Sequence, residues 1–209
     1  MSFYIPKHFR VDDRDALIAF VRANAFATVV TAGSDGLDAS HVPLHLVRDP
    51  DGALKLLGHV ARANAHWKSL EAGRETLAIF NGPHAYVSPG WYAHHPSVPT
   101  WNYATVHARG TARLMDDEAL KRFIDTLSAH YESGRVNPWR MRDLETDYVD
   151  RMVRAIVGFE IDVVSLEGKF KLSQNRKADD IPRVIAALEA EGEGATAALM
   201  RAYAAGESR

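Results

Sequence analysis

The chain has 209 residues, of which 46% are hydrophobic and 25% are charged, with a formal net charge of −2 and no cysteine. This composition is typical of a soluble globular protein with one substantial core, and it excludes disulfide bonds, thiolate nucleophiles and zinc sites built on sulfur. No apolar run approaches the ~20 residues that span a bilayer, and the first residues show neither a basic leader nor an apolar signal segment. We therefore expect a cytoplasmic protein with no membrane contact.

The first part of the chain predicts one helix followed by an antiparallel meander. Asp12 and Asp13 can cap a helix that buries Leu17, Phe20 and Val21. Alternating apolar residues between glycine-rich turns then predict strands that are joined by tight hairpins. These strands cover Phe26–Thr31, Ser40–Val47 and Leu54–Val60, with turns at Gly33–Gly36 and Asp49–Gly52.

The remaining chain predicts further strands with helices between and after them. These elements are a helical segment at Ala61–Ala72, short strands at Glu75–Phe80 and Tyr86–Ser88, a long strand at Thr100–Leu114, a helix after Asp116 and Asp117, a solvated helix within Arg140–Arg154, a strand at Ile156–Val164 and a last helix from Asp179 or Asp180. About six or seven strands joined mainly by tight turns predict a mainly β protein with peripheral helices (α+β), built on an antiparallel barrel. We expect a single domain over residues 1–209 with a C-terminal helical tail. A doubly wound α/β fold fits poorly, because helices do not separate the first three strands.

The histidines of the chain do not form a recognisable metal motif. His41 and His45 have a spacing that suits one face of a helix, but Pro43 favours a strand, in which they would lie roughly 13 Å apart. His94 and His95 have no acidic residue beside them in the sequence, so no metal site is predicted. The chain also lacks the serine-hydrolase elbow, the phosphate-binding P-loop and the dinucleotide glycine fingerprint, and its acidic pairs are interpreted as helix caps.

The segment Gly58–Trp67 runs from a predicted strand into a predicted helix. It would place Arg62 and Asn64 beside free backbone N–H groups, which is a credible cradle for a phosphate. The alternative is a solvated Arg62 and a core Trp67, and the residues alone do not separate the two interpretations.

Two segments, Val98–His107 and Gly168–Arg176, crowd aromatic, amide, hydroxyl and cationic side chains together. Flavin mononucleotide (FMN) would use all of these groups, since its phosphate suits a cation, its ring an aromatic wall and its pyrimidine edge an amide. Strand geometry would place Lys169 and Lys171 on one cationic face. The competing interpretations are a solvated basic edge of the sheet and aromatic side chains that belong to the core or to a subunit interface.

Taken together, these residues resemble the PaiB-type, FMN-binding negative transcriptional regulators. The resemblance spans nearly the whole chain and rests on Tyr4–Pro6 with Phe9, His59–Trp67, Gly82–Tyr92, Val98–His107 and Gly158–Ile161 with Gly168–Arg176. It implies an antiparallel FMN-binding split β-barrel. It also implies a homodimer that holds FMN at the subunit interface, with groups from both subunits.

The resemblance further implies the cofactor contacts. The hairpin around Ser40 and His41 would flank the flavin, and Arg62 and Asn64 would lie near the phosphate. Asn64 is followed by Ala65, where many relatives would have proline, and this difference loosens the start of the helix. The full set of implied cofactor-binding residues is Ser40, His41, Arg62, Asn64, Trp101, Tyr103, Thr105, Val106, Lys169, Lys171, Gln174 and Asn175.

Two functions follow from this resemblance. The first is a flavin-binding negative regulator of transcription, although the scattered basic residues do not favour direct DNA binding by one chain. A dimer could still combine two modest basic patches. The second is a flavin-dependent oxidoreductase related to pyridoxamine-phosphate oxidases, which acts on a small molecule and needs no conspicuous catalytic residue because the cofactor performs the redox chemistry.

Overall fold

The structure is a computed structural model that describes residues 3–34 and 36–205. In chain order its regular elements are β1 (Arg10–Val11), α1 (Arg14–Ala23), β2 (Phe26–Ala32), β3 (Leu37–Pro43), β4 (His45–Arg48), β5 (Leu54–Ala61), α2 (His66–Glu71), β6 (Glu75–Val87), β7 (Thr100–Leu114), α3 (Asp117–Glu132), α4 (Thr146–Arg154), β8 (Ile156–Lys171), α5 (Asp180–Ala190) and α6 (Gly194–Ala204). Short 3₁₀ turns lie at Lys7–Phe9, Pro89–Trp91 and Met141–Asp143. Within the described residues, every helix is too short or too polar to cross a bilayer.

The strands form one eight-stranded sheet in the order β3-β2-β6-β7-β8-β5-β4, and β1 pairs with β8. The pairs β1–β8, β2–β3, β4–β5 and β5–β8 are antiparallel. In the β2–β3 hairpin Val29 lies opposite Ser40, and between β5 and β8 His59 lies opposite Gly158. This topology confirms the predicted mainly antiparallel sheet with helices.

The described residues divide into two compact units. Unit 1 contains residues 3–24, 79–107 and 166–205, and unit 2 contains residues 25–34, 36–78 and 108–165. The long strands β6, β7 and β8 each pass from one unit to the other along the chain. The single domain over residues 1–209 stays a prediction.

Unit 1 contains α1, α5 and α6. The Asp13 side chain accepts hydrogen bonds from the backbone N–H groups of Asp15 and Ala16, so it is the predicted cap of α1. Phe20 of this helix packs on Phe170, with 4.9 Å between the ring centroids. The N-terminal and C-terminal parts of the chain therefore share one apolar core.

Unit 2 contains α2, α3 and α4. The Asp116 carboxylate accepts the N–H of Ala119 and begins α3 as predicted. Leu120 and Phe123 of α3 pack with Val153 of α4 in a buried cluster. The charged segment before β8 is therefore an amphipathic helix with a buried face, and the prediction of a merely solvated helix was incomplete.

Several predicted boundaries were wrong. The segment Ala61–Ala72 is helical only from His66, and Leu44 interrupts the predicted strand Ser40–Val47, since its N–H donates to the carbonyl of Ala25. β6 is continuous where a break was expected at Gly82 and Pro83. Neither Asp179 nor Asp180 caps α5 through its side chain, because the Asp180 carboxylate accepts the N–H of Ala93 instead.

Candidate cofactor site

The residues expected to contact FMN fall into one group in each unit. Ser40, His41, Arg62 and Asn64 belong to unit 2. The other group belongs to unit 1 and consists of Trp101, Tyr103, Thr105, Val106, Lys169, Lys171, Gln174 and Asn175.

In unit 2 a chain of hydrogen bonds starts at Asn64 and enters the protein interior. The Asn64 amide donates to Ser40 Oγ at 2.9 Å, and Ser40 Oγ lies 2.9 Å from His66 Nδ1. On the other side of the ring, His66 Nε2 lies 3.0 Å from Thr31 Oγ1, which is 3.0 Å from Thr76 Oγ1. His66 is only 3% exposed and Thr31 and Thr76 are fully buried, so this is a buried polar network.

The two ends of this network fix the direction of most of its hydrogen bonds. Asn64 Oδ1 must accept the backbone N–H of His66, so its amide nitrogen faces Ser40, and the Thr76 hydroxyl donates to the carbonyl of Arg74. Thr31 then donates to Thr76, and His66 Nε2–H donates to Thr31. A neutral imidazole completes the network when the Ser40 hydroxyl donates to His66 Nδ1.

Electrostatics agree with a neutral His66. Burial lowers the pKa of the His66 imidazole below its usual value, and the charge of Asp38 opposes this effect only in part. Sequence reasoning included His66 in the PaiB-like segment but gave it no role. The signal was the pattern Asn-x-His at the start of a helix, in which an asparagine side chain bonds the N–H two residues later.

Arg62 is held by the C-terminal end of α4. Its guanidinium donates to the carbonyls of Arg154 at 2.7 Å and Ile156 at 3.0 Å, and its backbone N–H donates to Ala155 O. Residues 3–34 and 36–205 use two of the five guanidinium donors, and the side chain is exposed.

The expected cradle of free backbone N–H groups is smaller than the sequence suggests. The N–H groups of Arg62, Asn64, His66 and Lys68 all donate to protein oxygen atoms. A phosphate contact in this segment stays a prediction. His41 is exposed on β3, where its Nδ1 lies 3.0 Å from Thr28 Oγ1.

In unit 1 three cations lie near the end of β8. Lys169 Nζ lies 5.2 Å from the ring centroid of Tyr4 and 5.5 Å from that of Tyr103. Lys171 Nζ donates to Thr100 Oγ1 and to Trp101 O, both at 2.6 Å. Arg176 stacks over Tyr92 at 4.0 Å and completes what we call the cationic cluster: Lys169, Lys171 and Arg176.

The cationic cluster has an excess of positive charge. No carboxylate in residues 3–34 or 36–205 lies within ion-pair distance of these three side chains. Burial, followed by repulsion from Arg176 and Lys169, lowers the pKa of Lys171. An anionic group bound here would relieve that repulsion, so the donor set fits a phosphate.

The aromatic residues of β7 line a cleft in the same unit. The cleft has a volume of about 530 Å³, and its walls include Trp101, Tyr103, Thr105, His84 and Asn81. Trp101 is 54% exposed, with its ring centroid 6.4 Å from that of His84. An exposed aromatic wall beside amide and hydroxyl groups suits a flat ring that forms hydrogen bonds at its edge.

Two of the predicted contacts in unit 1, Val106 and Gln174, have other surroundings. The Val106 side chain is completely buried in the core, so only its backbone could face a ligand. Gln174 folds back on its own turn, where it accepts the N–H of Leu172 and donates to the carbonyl of Phe170. Asn175 is exposed.

The structure also brings acidic groups to His94, which sequence neighbours did not suggest. His94 Nδ1 lies 3.4 Å from Asp179 and 3.3 Å from Asp180. Together with the bond from Ala93 N–H to Asp180, these contacts attach the loop before β7 to the start of α5. The three side chains therefore satisfy part of one another's hydrogen-bonding capacity.

Comparison with known proteins also indicates a flavin-binding family. The family model described as "Putative FMN-binding domain" matches residues 3–165. The chain is 37% identical over 188 residues to "Protease synthase and sporulation protein PAI 2" of Bacillus subtilis, covering 90% of each chain. It is also 33% identical to an uncharacterised protein of Emericella nidulans, over 84% of this chain and 86% of the other.

Solved structures with a similar fold include flavin-binding proteins. The FAD and heme binding protein from Mycobacterium smegmatis aligns with a TM-score of 0.60 at 16% identity, covering 83% of this chain and 78% of that one. The flavocytochrome Anf3 from Azotobacter vinelandii aligns with a TM-score of 0.55 at 16% identity, covering 86% and 78%. The expected split-barrel fold and the resemblance to PaiB are thus confirmed, and the chain belongs to the FMN-binding domain family.

Proposed function

We propose that the protein is a homodimeric, FMN-binding negative regulator of transcription of the PaiB type. The observation that carries FMN binding is the cationic cluster, which has no carboxylate partner among the described residues and lies in the same unit as the aromatic cleft. The regulatory role is supported by the relationship to the Bacillus subtilis protein, whose name links it to protease synthesis and sporulation. Such a regulator would act in the cytoplasm.

FMN would supply reversible electron transfer, while this chain would supply its binding and orientation. Lys169 and Lys171 offer charged donors, and Trp101 and Tyr103 offer aromatic surface for the ring. The resemblance places Arg62 and Asn64 near the phosphate. In a homodimer both subunits would contribute groups to each site.

Exposed apolar side chains of unit 1 support a subunit interface. Tyr4 is 79% exposed, Val98 69%, Trp101 54% and Tyr86 46%. Tyr86 and Trp101 are neighbours, with 6.1 Å between their ring centroids, and large exposed apolar residues are typical of interfaces.

The first experiment is a titration of the FMN-free protein with FMN, followed by flavin fluorescence. We expect one FMN per chain and a Kd that rises about tenfold or more in Lys171→Ala, since a charge-assisted hydrogen bond contributes roughly 1.5–3 kcal/mol. Lys55→Ala is the matched control. Lys55 forms an ion pair with Asp49 and is not among the residues expected to contact FMN, so its removal should leave the Kd unchanged. Failure of the wild-type protein to bind FMN would overturn the proposal.

Gel-shift and flavin-reduction assays separate the two functions. Specific retention of DNA by the pure protein at physiological salt, relative to scrambled DNA, is expected for a direct regulator. The open cleft beside Trp101 favours the oxidoreductase as the second candidate, because a small molecule from solvent could reach a flavin bound there. NAD(P)H-dependent flavin reduction without DNA retention would favour that enzyme over the regulator.

A further inference from the structure

Unit 2 contains an apolar pocket that the proposed function does not use. The pocket has a volume of about 410 Å³ and lies between α3, α4 and the turn Met141–Asp143. Three large apolar side chains in its lining are close to half exposed: Trp139 at 44%, Tyr148 at 45% and Met152 at 48%. Soluble proteins rarely leave such a concave apolar surface open without a ligand or partner.

A single imidazole supplies an unpaired polar atom beside this pocket. His59 lines the pocket, and its Nδ1, which its neighbours shield from solvent, has no hydrogen-bond partner among the described residues. A ligand would reach this atom after the imidazole ring rotates toward the pocket. The ring meets Phe123 edge to face at 6.3 Å, and burial lowers the pKa of His59. A neutral His59 at pH 7 can donate or accept one hydrogen bond, and leaving a buried polar atom unpaired is unfavourable.

The lining also determines the charge of a ligand. It consists of apolar and aromatic residues together with His59 and Ser128, and it contains no lysine, arginine, aspartate or glutamate. A charged molecule would lose its hydration without gaining a partner. FMN is therefore a poor fit, because its phosphate needs cations such as those of unit 1.

We propose that this pocket binds a small, neutral, planar aromatic molecule that forms one hydrogen bond with His59 Nδ1. The volume lies within the range of about 300–1,000 Å³ that is typical of small-molecule sites. Trp139 and Tyr148 provide flat surfaces for a ring, and methionine adapts its shape to varied ligands. A protein partner is less favoured, because a stable interface needs a broad surface of roughly 800 Å² on each side.

The test uses β-naphthol and naphthalene, a pair of probes that differ by one hydroxyl group. Binding is measured by calorimetry with the FMN-loaded protein. We expect one β-naphthol per chain and an affinity for naphthalene that is about tenfold weaker, as one hydrogen bond to a neutral group predicts. In His59→Phe, which keeps the ring but removes the nitrogen, the two probes should bind equally.

Two further variants locate the site. Met152→Trp should fill the opening and reduce β-naphthol affinity at least tenfold, whereas Tyr131→Ala, at an exposed α3 residue outside the lining, should change nothing. Equal binding of both probes to the wild-type protein, or full binding to Met152→Trp, would refute the proposal. An association state altered by Met152→Trp, without probe binding to the wild type, would assign this face to a protein partner instead. FMN affinity is measured in parallel and should be normal throughout.

Discussion

His66 is the residue whose removal should be most informative, because it joins both halves of a buried hydrogen-bond network. In His66→Leu, Ser40 Oγ and Thr31 Oγ1 each lose a partner at about 3 Å. We expect the free energy of unfolding to fall by about 1–3 kcal/mol, the usual result of leaving a buried polar group unpaired. Urea denaturation at pH 7.5 would measure this loss.

The same variant tests the charge state of His66. Because the folded-state pKa is depressed, the unfolded chain binds the proton more readily, and wild-type stability should decline as pH falls below about 6.5. The slope should be smaller in His66→Leu, and His59 should contribute in the same direction. His41→Leu is the control, since His41 is exposed. An equal decrease in the pH slope of stability in His41→Leu would contradict this account.

Lys171 should make FMN affinity depend on pH. Burial, Arg176 and Lys169 depress its pKa in the free protein, and a bound phosphate would raise it again. FMN affinity should then decrease as pH rises toward the depressed pKa, because the neutral amine must take up a proton on binding. Flavin fluorescence titrations between pH 7 and pH 10 would show the slope.

Lys171→Arg is the matched variant for that measurement. Arginine keeps its charge over the whole range, so this contribution to the slope should disappear even if overall affinity changes. An unchanged slope in Lys171→Arg would assign the titration to another group.

At the scale of elements, the limits of β7 were predicted correctly. A close approach of two backbone segments explains why this strand contains Gly110. A Cβ atom on Gly110 would lie only 2.0 Å from the carbonyl oxygen of Asp162. Gly110→Ala should therefore force the backbone apart and reduce the free energy of unfolding by about 1–3 kcal/mol or more. Thermal unfolding would measure the change.

Gly90→Ala is the comparison for Gly110→Ala. A Cβ at Gly90 would have its nearest neighbour, Ser88 Oγ, at 3.6 Å, which is an ordinary contact. We expect its effect to stay within about 0.5 kcal/mol. Equal losses in both variants would exclude the close approach as the cause.

The sequence predicted the helix starts that are set by hydrogen bonds between neighbouring residues. Asp13 and Asp116 mark the starts of α1 and α3, because their caps bond N–H groups two or three residues away. The helix expected from Ala61 was wrong because Arg62 bonds to residues that are 92 and 94 positions away in the sequence. Such tertiary bonds override local propensity.

The candidate site was predicted only in part for the same reason. The lysines near the end of β8 and the aromatic residues along β7 can be recognised in the sequence, because they are concentrated in two short segments. The partners of His66 come from β2 and β3, the next hydroxyl of the network comes from β6, and their convergence depends on the register of the sheet. Without that register, a histidine at a helix start has no visible role.

For the whole molecule, we predict that Val98 lies in the subunit interface. Val98→Glu places a charge on a residue that is 69% exposed but, in the proposed dimer, would be buried. Sedimentation velocity should show at least a tenfold weaker dimer, because an unpaired buried charge is strongly unfavourable. FMN affinity should decline in parallel if both subunits contribute to the site.

Val136→Glu is the control for the interface. Val136 is 96% exposed in unit 2, so the same substitution there should leave the association state unchanged. A wild-type protein that sediments as a monomer would refute the dimer without refuting FMN binding by one chain.

The attachment of Arg62 to the end of α4 has a consequence for hydrogen exchange. The Arg62 amide donates to Ala155 O, and its side chain donates to Arg154 O at the end of α4 and to Ile156 O at the start of β8. Local opening of that helix end must therefore release Arg62, whose amide proton should exchange with deuterium at the rate of the segment 154–156. Two parts of the chain that are 92 residues apart would open as one cooperative unit.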